Sequence, residues 1–177
     1  MQTSTNTILG ACQQAIRYLN DQSLLLGVGN TSRWMVEGSP PSADASALFL
    51  PELVGYFPMR RQSVIYPHPN GNFELSSGER YFEVDSDDPY ELAQVGGFRV
   101  LIEGVILHEQ LRSINAYRSV GVFTGCRIAD GLDSYDLIET RRVTGAVLDH
   151  LIHLERPFVR APGVEHVIQV VKTFYRS

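Results

Sequence analysis

The stretch Phe98-Arg99-Val100-Leu101-Ile102-Glu103-Gly104-Val105-Ile106-Leu107 decides the fold. Successive side chains of a strand point to opposite faces, so Phe98, Val100 and Ile102 share one face while Arg99, Leu101 and Glu103 share the other. The first face is the more hydrophobic, as in a strand packed on a core. Downstream, Tyr117 to Thr124 reads as a second strand, and Val164 to Phe174, valine-rich and alternating, as a last one. Asp130 to Asp136 reads as a polar turn between them, and Val143 to Leu154 is compatible with strand or helix. Upstream, Ser63 to Tyr66 is a strand closed by a turn at Pro67, Pro69, Asn70 and Gly71. Phe73 to Leu75 and Arg80 to Val84 flank Ser76–Gly78 as a hairpin, and Asp85 to Pro89 reads as an acidic turn.

The N-terminal third has a different character. Ile8, Cys12, Ala15, Ile16 and Leu19 recur at helical spacing, with Thr7 as cap and Asn20–Asp21 as end, which predicts one amphipathic helix. Leu24 to Val28 is a short apolar run that predicts a buried strand, and the glycines of Gly27-Val28-Gly29 predict a tight turn or bulge that lets backbones approach. An irregular stretch follows from Asn30 to Pro58, carrying Pro40–Pro41, Pro51, Pro58 and a Ser/Ala-rich segment. Loops of this length in compact domains serve a function or move. The expectation is α+β: an N-terminal helix, a long loop at about residues 30–58, then six or seven strands in a mainly antiparallel sheet or sandwich. With 177 residues, the whole of 1–177 is expected to form a single structural domain.

Composition narrows the function classes. Net charge is −5, Lys172 is the only lysine, and the arginine pairs Arg60–Arg61 and Arg141–Arg142 stand apart, so no basic stripe is available for sequence-specific nucleic-acid binding. No apolar run reaches membrane-spanning length. Met1 to Thr7 lacks a basic segment followed by an apolar one, which sets the expectation of a soluble chain assembled in the cytoplasm of the producing cell. Cys12 and Cys126 read as reduced, buried thiols.

Chemistry-bearing patterns are sparse. Asp85, Asp87 and Asp88 lack the glycine and distal glutamate of a calcium loop. His150 and His153 lie near Asp149 and Glu155, with His166 and Cys126 as remote completions of a zinc site; on a strand the first two point to opposite faces. No G-x-S-x-G elbow or S-x-x-K set occurs, and Gly27-Val28-Gly29 lacks the third glycine of a dinucleotide loop. No catalytic, cofactor or metal residue is assigned.

One stretch is distinctive. Leu25-Leu26-Gly27-Val28-Gly29-Asn30-Thr31-Ser32-Arg33-Trp34-Met35-Val36-Glu37-Gly38-Ser39-Pro40-Pro41 resembles the N-terminal part of baseplate wedge proteins of contractile-tailed phages, and of small tail or neck proteins related to them. The likeness extends to Gly55-Tyr56 as the return to the sheet, Tyr117 to Val122 as the central strand, and Leu154 to Arg160 with Val167 to Phe174 as the C-terminal strand pair. Asn30 stands where that family usually has arginine. The resemblance implies a virion structural subunit, present in several copies at one end of the tail, whose partners are other phage structural proteins and copies of itself in a ring or wedge. A neck or collar connector is the alternative, followed by an assembly chaperone or a small hydrolase. The residues expected to meet partners are Trp34, Glu37, Pro40 and Pro41 on the loop, Tyr56 at its return, and Arg156 and Arg160 beside the C-terminal strands. Trp34 is either an anchor pinning the loop or an interface hot spot.

Overall fold

The computed structural model describes residues 7–36, 39–42, 46–75, 77–111, 114–129 and 137–175. Its contacts divide the chain into two compact units. One comprises Met1–Asp21, Arg60–Glu103 and Ile168–Ser177, the other Gln22–Met59 and Gly104–Val167. Two of the boundaries fall inside strands, after Glu103 and before Ile168.

In the second unit, β1 (Leu25–Gly29) is buried at every position. It runs antiparallel between β2 (Gly55–Pro58) and β7 (Ala116–Thr124), and β10 (Val147–Val159) adds to the far side of β7. A strand covered on both faces reads as a continuous apolar run, which is why Leu24 to Val28 was legible as buried. Leu25, Leu50, Tyr56, Phe123, Cys126 and Ile138 form one core cluster of this unit. Ile138 closes the outer side of β2 by exchanging backbone hydrogen bonds with Tyr56, at 2.8 and 2.9 Å. A two-stranded sheet pairs β8 (Arg127–Ile128) with β9 (Val143–Thr144).

The first unit holds α1 (Ile8–Leu19). Thr7 caps it by accepting from the Gly10 amide at 3.1 Å, and Asn20 ends it, as the sequence predicts. Ala11, Cys12 and Ala15 are its buried face. A second sheet has the order β11 (Glu165–Thr173), β6 (Arg99–Leu107), β3 (Arg61–Pro67), β5 (Arg80–Val84), β4 (Phe73–Glu74). The β4–β5 hairpin has the predicted antiparallel pairing, Phe73 opposite Tyr81. Ile65, Leu75, Tyr81 and Leu101 form a core cluster of this unit.

Two expectations need correction, and one open reading is resolved. The acidic turn at Asp85 to Pro89 leads into a helix, α2 (Pro89–Val95). Asp88 caps it by accepting from the Tyr90 amide at 2.8 Å, Pro89 supplies the preset first-turn φ, and Gly96 closes it in the left-handed conformation. Val143 to Leu154, compatible with strand or helix in the sequence, holds β9 and the start of β10, separated by Gly145–Ala146. The loop expected to end at Pro58 ends at Val54, because Gly55–Pro58 pairs with β1. The polar turn at Asp130 to Asp136 lies outside the described residues, as does Ser76 of the hairpin. Among the described residues no helix is long and apolar enough to cross a membrane.

Candidate functional site

The chain leaves the sheet at Gly29 and returns at Gly55, and the two limbs of this arm are fastened together at its root. Asn30 takes a left-handed conformation (φ 53°), which turns the chain away from β1 and which asparagine tolerates better than most residues. Its amide donates to the Pro51 carbonyl at 2.9 Å, and the Val54 amide donates to the Val28 carbonyl at 2.9 Å. Gly29 makes this approach possible: a Cβ there would lie 2.5 Å from the Pro51 carbonyl oxygen.

Glu52 is the clasp. Its carboxylate accepts from the Ser32 amide at 2.8 Å, from the Thr31 hydroxyl at 2.9 Å and from the Ser32 hydroxyl. These bonds, the Ser32 hydroxyl foremost, hold its pKa down to about 2. Glu52 is itself left-handed (φ 48°), a conformation that persists where surrounding bonds over-determine it.

Beneath the outgoing limb lies a polar relay. Asn30 Nδ2 donates to Ser119 Oγ at 2.6 Å, and Ser119 Oγ meets His153 Nδ1 at 2.7 Å. Ser119 and His153 are cross-strand partners on β7 and β10. The serine oxygen accepts from Asn30 and keeps a second lone pair and its own hydrogen for the imidazole. Burial pulls the His153 pKa below its ordinary value, consistent with a neutral ring. Trp34 packs edge-on against His153, with ring centroids 5.2 Å apart. Arg118, buried within β7, donates to the Thr31 carbonyl at 2.9 Å.

Beyond the root, several described residues are apolar and exposed. Met35 and Val36 on the outgoing limb are 105% and 65% exposed, and Leu48 and Phe49 on the return limb 87% and 69%. Isolated exposed apolar residues are ordinary. Four large ones fall on this one segment.

The residues expected to meet partners fall in different settings. Trp34 is half-buried, and its Nε1 is buried without a hydrogen-bond partner among the described residues. Pro40 is half-buried and Pro41 exposed; Glu37 lies outside the described residues. Tyr56 is 6% exposed and packs edge-on against Phe123 in the core. Arg156 is exposed and Arg160 half-buried, the Arg160 amide donating to the Asn115 carbonyl at 2.8 Å. Asn30, Glu52, Arg118, Ser119 and His153, which build the root, were not singled out as partner residues from the sequence. A charged residue inside the strand Tyr117-Arg118-Ser119-Val120 was the one available signal.

Ser119 and His153 are spaced as a nucleophile and base would be, but Ser119 is fully buried and its oxygen is already engaged by Asn30. A substrate carbonyl has no way to it in this arrangement. Among the described residues no group of three or more His, Cys, Asp or Glu side chains is placed to hold a metal ion. Cys12 and Cys126 are both buried, and neither is in a disulfide.

A second histidine of this unit is more deeply placed. His166 stacks on Phe158 (4.3 Å between centroids, 4° between planes), and its Nδ1 is bonded by the hydroxyl of the fully buried Tyr117. Burial lowers its pKa to about 4. An unfolded imidazole titrates near 6.5, so below that pH the unfolded chain binds a proton that the folded chain refuses. Stability is therefore full above about pH 6.5 and falls as pH drops toward about 4. The expected loss is about 2 kcal/mol, discounted from the full shift for residual exposure of the ring. Denaturant melts across this range should show a shallower pH slope in His166→Phe than in the parent; equal slopes would refute the assignment.

The family described as baseplate wedge 3 tail fiber network component matches residues 3–174 of the chain. No curated protein matches it.

Proposed function

Because the chain belongs to the family of baseplate wedge 3 tail fiber network components, we propose that it is a virion structural subunit, present in several copies at one end of the tail, which joins its neighbours through the arm at residues 30–54. One observation carries the arm reading: its root is locked by Glu52, Asn30 and Arg118, while Met35, Val36, Leu48 and Phe49 are left to solvent. A rigid root with an apolar end lowers the entropy lost on docking, and the end supplies the surface to be buried. Partners are other phage structural proteins and further copies of the chain, through contacts that close into a ring or wedge. Trp34, Glu37, Pro40 and Pro41 belong to the docking segment, Arg156 and Arg160 to a second contact, and Tyr56 supports the segment from the core.

The role is mechanical rather than catalytic. The two units act as one structural domain, a reading supported by the chain passing between them four times, so that neither is a continuous piece. Particles assembled in the host cytoplasm carry the protein in the tail.

Immunogold labelling of purified particles tests the proposal. Label at the distal end of the tail is the expected result. Label at the head–tail junction would make the chain a neck or collar subunit, and its absence from mature particles would make it an assembly factor.

A further inference from the structure

We propose that the arm of one copy docks on a second copy by strand addition, its return limb at Leu48 and Phe49 pairing with the open edge of β10 at Leu151–Leu154. The proposal rests on reading residues 30–54 as a docking arm and names what that arm meets. The four-stranded sheet has the order β10-β7-β1-β2, so its outer strands are β2 and β10. The chain closes the β2 edge itself, through the bonds exchanged between Tyr56 and Ile138. Among the described residues no strand pairs with the outer side of β10. An edge strand turns a row of amide and carbonyl groups outward, and the backbone of an added segment satisfies them. Native edges are blunted by shortness, charge, proline or bulges. β10, at 13 residues, is the longest strand described. Its blunting devices sit towards its ends. The register with β7 shifts between Leu148 and His150 and again between His153 and Phe158, and Pro157 has no amide to offer. Leu151-Ile152-His153-Leu154 lies between them with no proline, lysine, arginine or carboxylate, and all four residues are half-buried.

The donor side is on the same chain. Ala47, Leu48 and Phe49 belong to no helix or strand, and among the described residues their amides and carbonyls make no backbone hydrogen bond. The receiving edge also adjoins the root of its own arm. Trp34 packs on His153, and Met35 and Val36 follow Trp34 into solvent. An incoming limb therefore finds a backbone edge with exposed apolar side chains beside it. Donor and acceptor are different parts of the chain, so the contact is head-to-tail. Each copy gives one arm and receives one, and the series closes where the rotation allows a ring. A strand addition of four residues with two large apolar side chains falls short of the about 1,200 Å² that a stable interface buries. One such contact is weak in solution and gains its strength from repetition around the ring.

Cross-linking of the full chain tests the contact. Leu48→Cys and Leu154→Cys are made separately, mixed and exposed to oxidised glutathione; the native Cys12 and Cys126 are buried. A disulfide between the two variants is expected to form about tenfold faster than one between Leu48→Cys and a variant at an exposed position of the other unit, Asp87→Cys, because docking raises the effective concentration. A mixed disulfide no faster than that control would overturn the proposal, and a dominant Leu154→Cys homodimer would overturn it in favour of β10 pairing with β10. Amide hydrogen exchange on the unaltered chain is the second measurement and needs no substitution. Raising the protein concentration should protect amides within Leu151–Leu154 together with those of Leu48 and Phe49; protection of one segment without the other would overturn the pairing. The arm reading fails separately. Arm variants that block incorporation into particles while no mixed disulfide forms would leave the arm docked on another protein and sink only this proposal.

Discussion

Deleting residues 40–47 is expected to abolish incorporation of the chain into particles while shifting its melting temperature by no more than about 2 °C. The bonds at the root of the arm lie outside the deleted segment: Asn30 to Pro51, Val54 to Val28, and Glu52 to Thr31 and Ser32. Of the described residues within it, Pro41, Ser42 and Ser46 are exposed and Pro40 and Ala47 half-buried, so little buried surface is lost. Shortening a flexible loop changes its closure entropy only logarithmically, a few tenths of a kcal/mol in this range. A companion variant, Leu48→Ser with Phe49→Ser, keeps the length and removes the apolar surface instead. Each side chain buried on docking is worth about 1.5 kcal/mol or more, so the pair should weaken capture by neighbours on the order of a hundredfold. Incorporation at parental stoichiometry in both variants would sink the arm proposal. A large fall in melting temperature would show that the segment belongs to the fold of its own chain.

What the sequence disclosed follows from what periodicity can carry. The spacing of Ile8, Cys12, Ala15, Ile16 and Leu19 with Thr7 before it reports a helix, because cap and apolar stripe are local. The run at Leu24 to Val28 reports a strand covered on both sides. Helix α2 was within reach, since Asp88, Pro89 and Gly96 are its cap, first turn and stop, but three aspartates within four residues read first as a turn. The root of the arm was not legible. Glu52 meets Ser32 from twenty residues away and His153 meets Ser119 from thirty-four, pairings set by where the sheet brings two strands and two limbs together. No repeat in the sequence encodes them. In the sequence His153 stands beside His150 as a remote zinc candidate, and its contact with Ser119 exists only because β10 places it opposite that serine. Trp34 reads as either anchor or hot spot, and its half-buried ring packs against His153.

Gly29→Ala is expected to cost about 3 kcal/mol, lowering the melting temperature by about 6–12 °C. The backbone at Gly29 does not need glycine for its φ; the demand is space. An alanine Cβ would sit 2.5 Å from the Pro51 carbonyl oxygen, 2.9 Å from Leu50 Cγ and 3.3 Å from the Glu52 carbonyl oxygen. Two of these three atoms are backbone, so no rotamer change removes the clash and the return limb must move as a piece. That movement stretches the Asn30 to Pro51 bond, draws the buried Leu50 out of the core cluster, and pulls Glu52 away from Ser32. The same step predicts a chemical signature. Once freed from Ser32 and Thr31, the Glu52 carboxyl should titrate near the ordinary glutamate value of about 4.3 rather than about 2, measurable by carboxyl-carbon NMR. A destabilised variant with Glu52 still titrating low would mean that the strain is absorbed within β1 and that the clasp survives. A variant as stable as the parent would mean that the return limb yields at no cost, and a limb that yields so readily cannot be the rigid root on which the docking arm depends.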